Sequence, residues 1–196
     1  SSHGGGISAF IQNKAHEMPA HHVIFDVATY SECPQDFHQA IEGTGGQIHR
    51  LLNPKKEGWS AFSRSFKQIL SSRDYDIIHC HIAGYRSEIY KRIAGKHSQA
   101  DFYIHSHTAV PKKNPLQNKV EQWFTRKNST GVVGCGKKAI HVTYGDQVKD
   151  SRMMVIPNSI EVDQFIKTDD EYEQQRAAYR KKYGIADDEI LIGHIG

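Results

Sequence analysis

Two short apolar runs, Tyr75-Asp76-Ile77-Ile78-His79-Cys80-His81 and Asp101-Phe102-Tyr103-Ile104-His105-Ser106-His107, each close on His-x-His. Their length and their Ile and aromatic content, between longer stretches of helical periodicity, mark them as buried parallel strands. Side chains alternate along a strand, so His79 and His81 share one face of the first, and His105 and His107 one face of the second. Ligands of open parallel sheets bind beyond the carboxyl ends of the strands. Both pairs sit at those ends, so four imidazoles are expected to converge on one crevice. A strand-end histidine is also a common structural hydrogen-bonding residue. For any one of the four, a structural role stands open beside substrate contact.

The rest of the chain alternates in the same way. Strands are expected over His22–Tyr30, Gln47–Leu52, Gly131–Gly134, Met153–Ile156 and Glu189–Gly196. Helices are expected from Ile7 to Met18, from Cys33-Pro34 to about Ile41, around Phe62 and Phe66, around Ile89 and Ile93, and over Lys137–Tyr144. Trp59, Phe62, Phe66, Ile69 and Leu70 fall at helical spacing and read as core. After the basic loop Pro111-Lys112-Lys113-Asn114-Pro115, a helix is expected with Leu116, Val120, Trp123 and Phe124 inward and Lys119, Arg126 and Lys127 outward. A charged helix from Asp169 to Tyr183 stops at Gly184, a residue that suits a left-handed C-terminal cap. Alternating strands and helices give a Rossmann-like parallel α/β sheet with helices on both faces.

Composition narrows the function classes. A length of 196 residues suits one domain with a core, or a domain plus part of another. A net charge of +3 and a pI near 8.7 are too mild to imply nucleic acid. They suit a small anionic ligand or an anionic membrane surface, the latter drawing on the basic helix after Pro115. A simply solvated basic face is the plainer reading of that helix. The three cysteines have no metal-finger spacing and read as reduced thiols of a cytoplasmic protein. No apolar stretch approaches the ~20 residues of a membrane span.

Gly4, Gly5 and Gly6 open the first helical pattern. Free backbone N–H groups at the positive end of a helix dipole would seat a phosphate there. Ser1-Ser2-His3 and the Gly triplet equally resemble residue left by expression cloning. A phosphate-binding Gly turn ordinarily follows a first strand, and none precedes this one. The run Glu189–Gly196 reads as the opening strand of a further domain.

The order of these motifs resembles a known family. The Gly loop, Ile77-Ile78-His79-Cys80-His81 and Ile104-His105-Ser106-His107-Thr108 come first. Ile156-Pro157-Asn158-Ser159-Ile160-Glu161-Val162-Asp163-Gln164-Phe165, Tyr183-Gly184-Ile185 and Ile190-Leu191-Ile192-Gly193-His194-Ile195-Gly196 follow. Together they resemble the N-terminal half of a family-4 retaining glycosyltransferase of the GT-B fold, of the type that builds bacterial capsule and exopolysaccharide. The likeness covers nearly the whole chain and is most specific in the Pro157–Phe165 segment and the closing strand. Ser159 departs from the glycine usual there.

The resemblance implies an acceptor-side Rossmann-like domain over 1–166, then a linker helix and the first strand of a donor domain over 167–196. It implies transfer of a sugar from a nucleotide-sugar to a glycan or lipid-linked acceptor, with no cofactor and no metal, in the cytoplasm or at the inner face of the membrane. His107 would contact the donor sugar and His81 would line the cleft, the two being the catalytic candidates. Gly4, Gly5 and Gly6 would approach the donor diphosphate or acceptor, with His105 and Asn158 shaping the binding surface. This half alone is expected to be inactive. Two other readings fit the residues: a metal-dependent hydrolase using the His-x-His pairs, and a non-enzymatic Rossmann-like binding module.

Overall fold

A computed structural model describes residues 5–160, 162 and 166–193. The chain divides into two compact units, 1–159 and 160–196. The first carries six short strands and six helices in the order α1 (Gly6–Glu17), β1 (Val27–Thr29), α2 (Gln35–Glu42), β2 (Ile48–Arg50), α3 (Pro54–Leu70), β3 (Ile77–Cys80), α4 (Ser87–His97), β4 (Asp101–Ser106), α5 (Pro115–Asn128), β5 (Val132–Gly134), α6 (Lys137–Tyr144) and β6 (Met153–Val155). Every pairing among them is parallel: β1 with β2 in one small sheet, and β3-β4-β5-β6 in sequence order in the other. Parallel neighbours require crossover helices, and the sequence supplies one between each pair.

Alternation along β4 divides the molecule into layers. Phe102 and Ile104 are fully buried in the main core with Phe62 and Phe66 of α3, Ala94 of α4, and Ile140 and Tyr144 of α6. Ser106, on the same face, donates its hydroxyl proton to the Ala139 carbonyl of α6 at 2.8 Å. His105, on the opposite face, meets Phe10 of α1. Helices therefore cover both faces of the sheet, as the alternating pattern predicts. At Gly134 of β5 a Cβ would come within 2.7 Å of Ile140 Cγ1, so glycine lets α6 press against the strand.

Outside this frame several expectations shift. Of His22–Tyr30 only Val27–Thr29 pairs as a strand. Gly58, at φ 81° and ψ 161°, breaks α3 near its start, and Trp59 beside the break is 58% exposed while Phe62, Phe66, Ile69 and Leu70 are buried as expected. The larger correction concerns α5. Leu116, Val120 and Trp123 point to solvent, 72%, 44% and 51% exposed. The inward face is polar instead. Thr125 Oγ1 accepts from the Gly84 amide at 2.9 Å, and Asn128 Nδ2 donates to Ser87 Oγ at 2.9 Å.

The second unit contains α7 (Asp169–Tyr183). Thr168 and Glu171 form a reciprocal capping box at its start, and Gly184 ends it in the left-handed conformation at φ 66°. Ile190, Leu191 and Ile192 lie in no strand and are 90%, 66% and 88% exposed. Glu161, Asp163, Gln164 and Phe165 of the Pro-Asn segment, His194 to Gly196 of the expected closing strand, and Gly4 of the glycine turn lie outside the described residues. Among the described residues no helix is long and apolar enough to cross a membrane. All three cysteines are free thiols.

Candidate functional site

The parallel pairing of β3 with β4 sets His79 against Tyr103 and Cys80 against Ile104, which brings the carboxyl ends of the two strands side by side. His79 and His105 meet at 3.0 Å between Nε2 and Nδ1, and His81 and His107 at 2.8 Å between Nδ1 and Nε2. The four rings form a small stacked block. Centroids of His105 and His107 are 4.3 Å apart with planes 13° off parallel, those of His79 and His81 4.7 Å apart, and those of His79 and His105 5.1 Å apart. The four imidazoles converge as expected, but on one another beneath Phe10, and none of them lines either of the two clefts described below.

Phe10 closes the block from above. It is buried, and its ring lies edge-on to all four imidazoles, at 4.9 Å from His105, 5.3 Å from His107, 5.9 Å from His81 and 6.4 Å from His79. Phe10 sits four residues into α1, roughly 6 Å along the axis from its first residue. Gly5 and Gly6 therefore lie within a turn or so of the histidines. Gly5 is the N-cap residue, and the first turn has no side-chain cap and no acidic residue. Its amides keep the free donors and positive potential that favour an anion. Neither Gly5 nor Gly6 adopts a positive φ, so neither is required by backbone conformation.

Burial sets the charge state. Loss of water pushes His79 down to about 4, His81 to about 2 and His105 to about 3, with the neighbouring imidazoles acting in the same direction. His107 is also lowered by burial, an effect opposed by the Asn158 side chain beside it. The rings are neutral at pH 7, and each pair has one nitrogen donating and one accepting. His105 Nε2 and His107 Nδ1 are buried with no hydrogen-bond partner, so the approach of Asn158 stops short of a bond. With His105 Nδ1–H and His107 Nε2–H as donors, both orphans are bare lone pairs, which cost less than buried unpaired N–H groups.

His81, His105, His107 and Asn158 are thus brought together with the start of α1. His79, equally part of the block, was readable from its spacing two residues before His81. Phe10 and Asn13 carry no such signal. Asn13 Nδ2 donates to the Ser159 carbonyl, which ties α1 to the Pro157-Asn158-Ser159 segment. Further along, a cleft of about 420 Å³ opens at the carboxyl ends of β1 and β2, lined by Thr29, Ser31, Cys33, His38, His49 and Arg50 among others. A basic recess of about 360 Å³ with Arg126, Lys149 and Arg152 lies at the opposite, amino end of β5.

The sequence profile of Glycosyltransferase Family 4 matches residues 4–164. The chain is 24% identical over 201 residues to a Bacillus subtilis (strain 168) protein named "Putative glycosyltransferase EpsF", an alignment covering 97% of this chain and 50% of that protein. The chain thus spans about half the length of the curated relative it matches. No solved structure matches it at a comparable level. With a parallel α/β sheet, strand-end histidines under a glycine-led helix, and a family match running over most of its length, the chain belongs to glycosyltransferase family 4.

Proposed function

We propose that residues 1–166 are the acceptor-side lobe of a GT-B glycosyltransferase, and that 167–196 are the linker helix and first strand leading into a donor lobe. The enzyme moves a sugar from a nucleotide-sugar to a glycan or lipid-linked acceptor with retention, without cofactor or metal. The observation that carries this reading is the neutral four-histidine block beside the start of α1, in a chain of this family. The name of the relative supports a glycosyltransferase, and nothing in the family membership favours the hydrolase reading.

The chemistry divides between the lobes. The C1–O bond to the departing diphosphate breaks through an oxocarbenium-like centre as the acceptor oxygen bonds to C1, and the acceptor proton leaves with the phosphate or a nearby base. Fixed positive potential at the leaving phosphate is the largest aid to such a reaction. In this half, the first turn of α1 at Gly5 and Gly6 offers such potential beside the block. Sugar hydroxyls meet the block at the half-buried His81 and His107, with Asn158 at the rim, and the buried lone pairs of His105 Nε2 and His107 Nδ1 come into reach as Phe10 moves aside. The cleft beyond β1 and β2 is a second surface, where Ser31, His38 and Arg50 are at hand for acceptor hydroxyls.

The site is cytoplasmic, and α5 carries the contact with the inner face of the membrane. Its outer stripe of Leu116, Val120 and Trp123 is apolar and exposed, with Lys112, Lys113, Lys119 and Lys127 around it. That combination suits an anionic bilayer surface.

The test uses the whole enzyme with a panel of nucleotide-sugars and a membrane-lipid extract as acceptor source. His107→Ala is expected to cut kcat by about 100-fold or more with an unchanged circular dichroism spectrum, the loss typical of one positioned polar group in a water-excluded site. Unimpaired transfer by folded His107→Ala, or inversion at the anomeric carbon, refutes the proposal.

A further inference from the structure

We infer that His79, His81 and His105 form a binding site for a single borderline transition-metal ion, of which Zn²⁺ is the type. The inference stands on the geometry of the block and not on the transferase reading. One nitrogen from each of these three rings lies within 4.8 Å of the others. Two ligand nitrogens on a tetrahedral ion with bonds of 2.0–2.1 Å are about 3.3 Å apart. His79 Nε2 and His105 Nδ1, now 3.0 Å apart, need to part by only a few tenths of an ångström to admit an ion between them. The third ring closes on it by swinging about its own side-chain torsions, exchanging its hydrogen bond to His107 for a metal bond.

The chemistry of the donors selects the ion. Neutral imidazoles are good ligands for Zn²⁺, Co²⁺, Ni²⁺ and Cu²⁺ and poor ones for Mg²⁺, Ca²⁺ and Mn²⁺, which favour carboxylate and carbonyl oxygens. No carboxylate takes part in the hydrogen bonds of the block among the described residues. Histidine ligands in tight sites are backed by a carboxylate or carbonyl on the far ring nitrogen, worth about 10–100-fold in affinity. Here His105 Nε2 has no partner, and this places the site in the weaker class. A fourth position is open to His107, water or a sugar hydroxyl. Binding through His105 Nδ1 sends that ring's proton to Nε2 and draws His81 away from His107, so the ion disturbs the face offered to substrate and inhibits the enzyme without serving it.

The experiment uses chain prepared without a polyhistidine tag, stripped with chelator. Zn²⁺ and Mg²⁺ are each titrated calorimetrically, and imidazole ¹⁵N resonances are followed in the unsubstituted protein. The expected result is one Zn²⁺ per chain, no Mg²⁺, and shifts confined to the ring nitrogens of the buried block. His79→Gln and His105→Gln are each expected to weaken Zn²⁺ binding at least about tenfold. His141→Gln is expected to leave it unchanged, although exposed Asp146 and Asp150 lie 3.6 and 4.0 Å from His141 and make it the obvious surface competitor. Shifts limited to exposed histidines, loss of binding in His141→Gln alone, or no Zn²⁺ uptake overturns the inference. The resonance measurement decides the matter even where a glutamine variant fails to fold.

Discussion

Four imidazoles held neutral in one dry block make the folded chain vulnerable to mild acid. The perturbation is a pH change from 7.5 to 5.5 in the presence of chelator. His79, His81 and His105 fold with values lowered to about 4, 2 and 3, while in the unfolded chain each titrates near 6.5. A lowered histidine contributes no penalty above the unfolded value. As pH falls below 6.5 the unfolded chain binds protons that the folded chain refuses, and stability drops by about 1.4 kcal/mol per imidazole for each unit. Over the stated change the three give a ceiling of about 4 kcal/mol. His107 is lowered in the same direction and adds to the loss, with Asn158 opposing its shift. Against a typical domain stability of about 5–15 kcal/mol the loss is large. With a urea slope of about 2 kcal/mol per molar it moves the midpoint down by up to about 2 M. Urea melts by circular dichroism at half-unit pH steps measure it. A midpoint flat between pH 7.5 and 5.5, or a loss that persists in a variant with His79, His81 and His105 all replaced by glutamine, refutes the account of the block as neutral and buried.

Two other outcomes follow from the same surfaces. Phe10→Ala removes a buried ring that touches all four imidazoles and is expected to cost about 3 kcal/mol; it also readmits water, so imidazole titration by NMR should move up toward 6.5. Replacing Leu116 and Trp123 with serine is expected to lower binding to anionic vesicles more than tenfold, with an unchanged thermal midpoint because both side chains are exposed; binding that survives, or that is insensitive to salt, removes α5 from the membrane contact.

How far the sequence reaches is clearest where its period leaves one solution. A strand has a side-chain period of two, so His79 with His81 and His105 with His107 could share a face in only one way, and parallel pairing of β3 with β4 then joined the pairs. A helix offers no such constraint. On α5 the apolar spacing of Leu116, Val120 and Trp123 pointed to burial, but the neighbours it meets are Gly84 and Ser87, which offer hydrogen bonds to Thr125 and Asn128. Polar satisfaction settled the orientation, and the apolar stripe was left to solvent. Phe10 was unreadable for a third reason. Its partners lie some 70 to 97 positions along the chain, and only the return of α1 over the sheet brings them together. Asn13 is hidden in the same way, since its partner is Ser159.

The neutrality of the block also decides what kind of ligand face it can be. Only other imidazoles contribute charge effects to His79, His81 and His105, and no Lys, Arg, Asp or Glu does. A phosphate set against four uncharged, partly desolvated rings loses its water without gaining a countercharge, a poor exchange. A sugar ring suits the same surface. Its hydroxyls can meet the block only at the half-buried His81 and His107, because Phe10 and the lone pairs of His105 Nε2 and His107 Nδ1 are buried. The anionic part of any nucleotide-sugar is then directed away from the rings, toward the uncapped start of α1 at Gly5 and Gly6. The division predicts opposite responses to ionic strength. Affinity for a free sugar should be nearly independent of salt, and affinity for a nucleoside diphosphate should fall as salt rises. If the two ligands respond alike, the separation of sugar from phosphate along α1 is wrong.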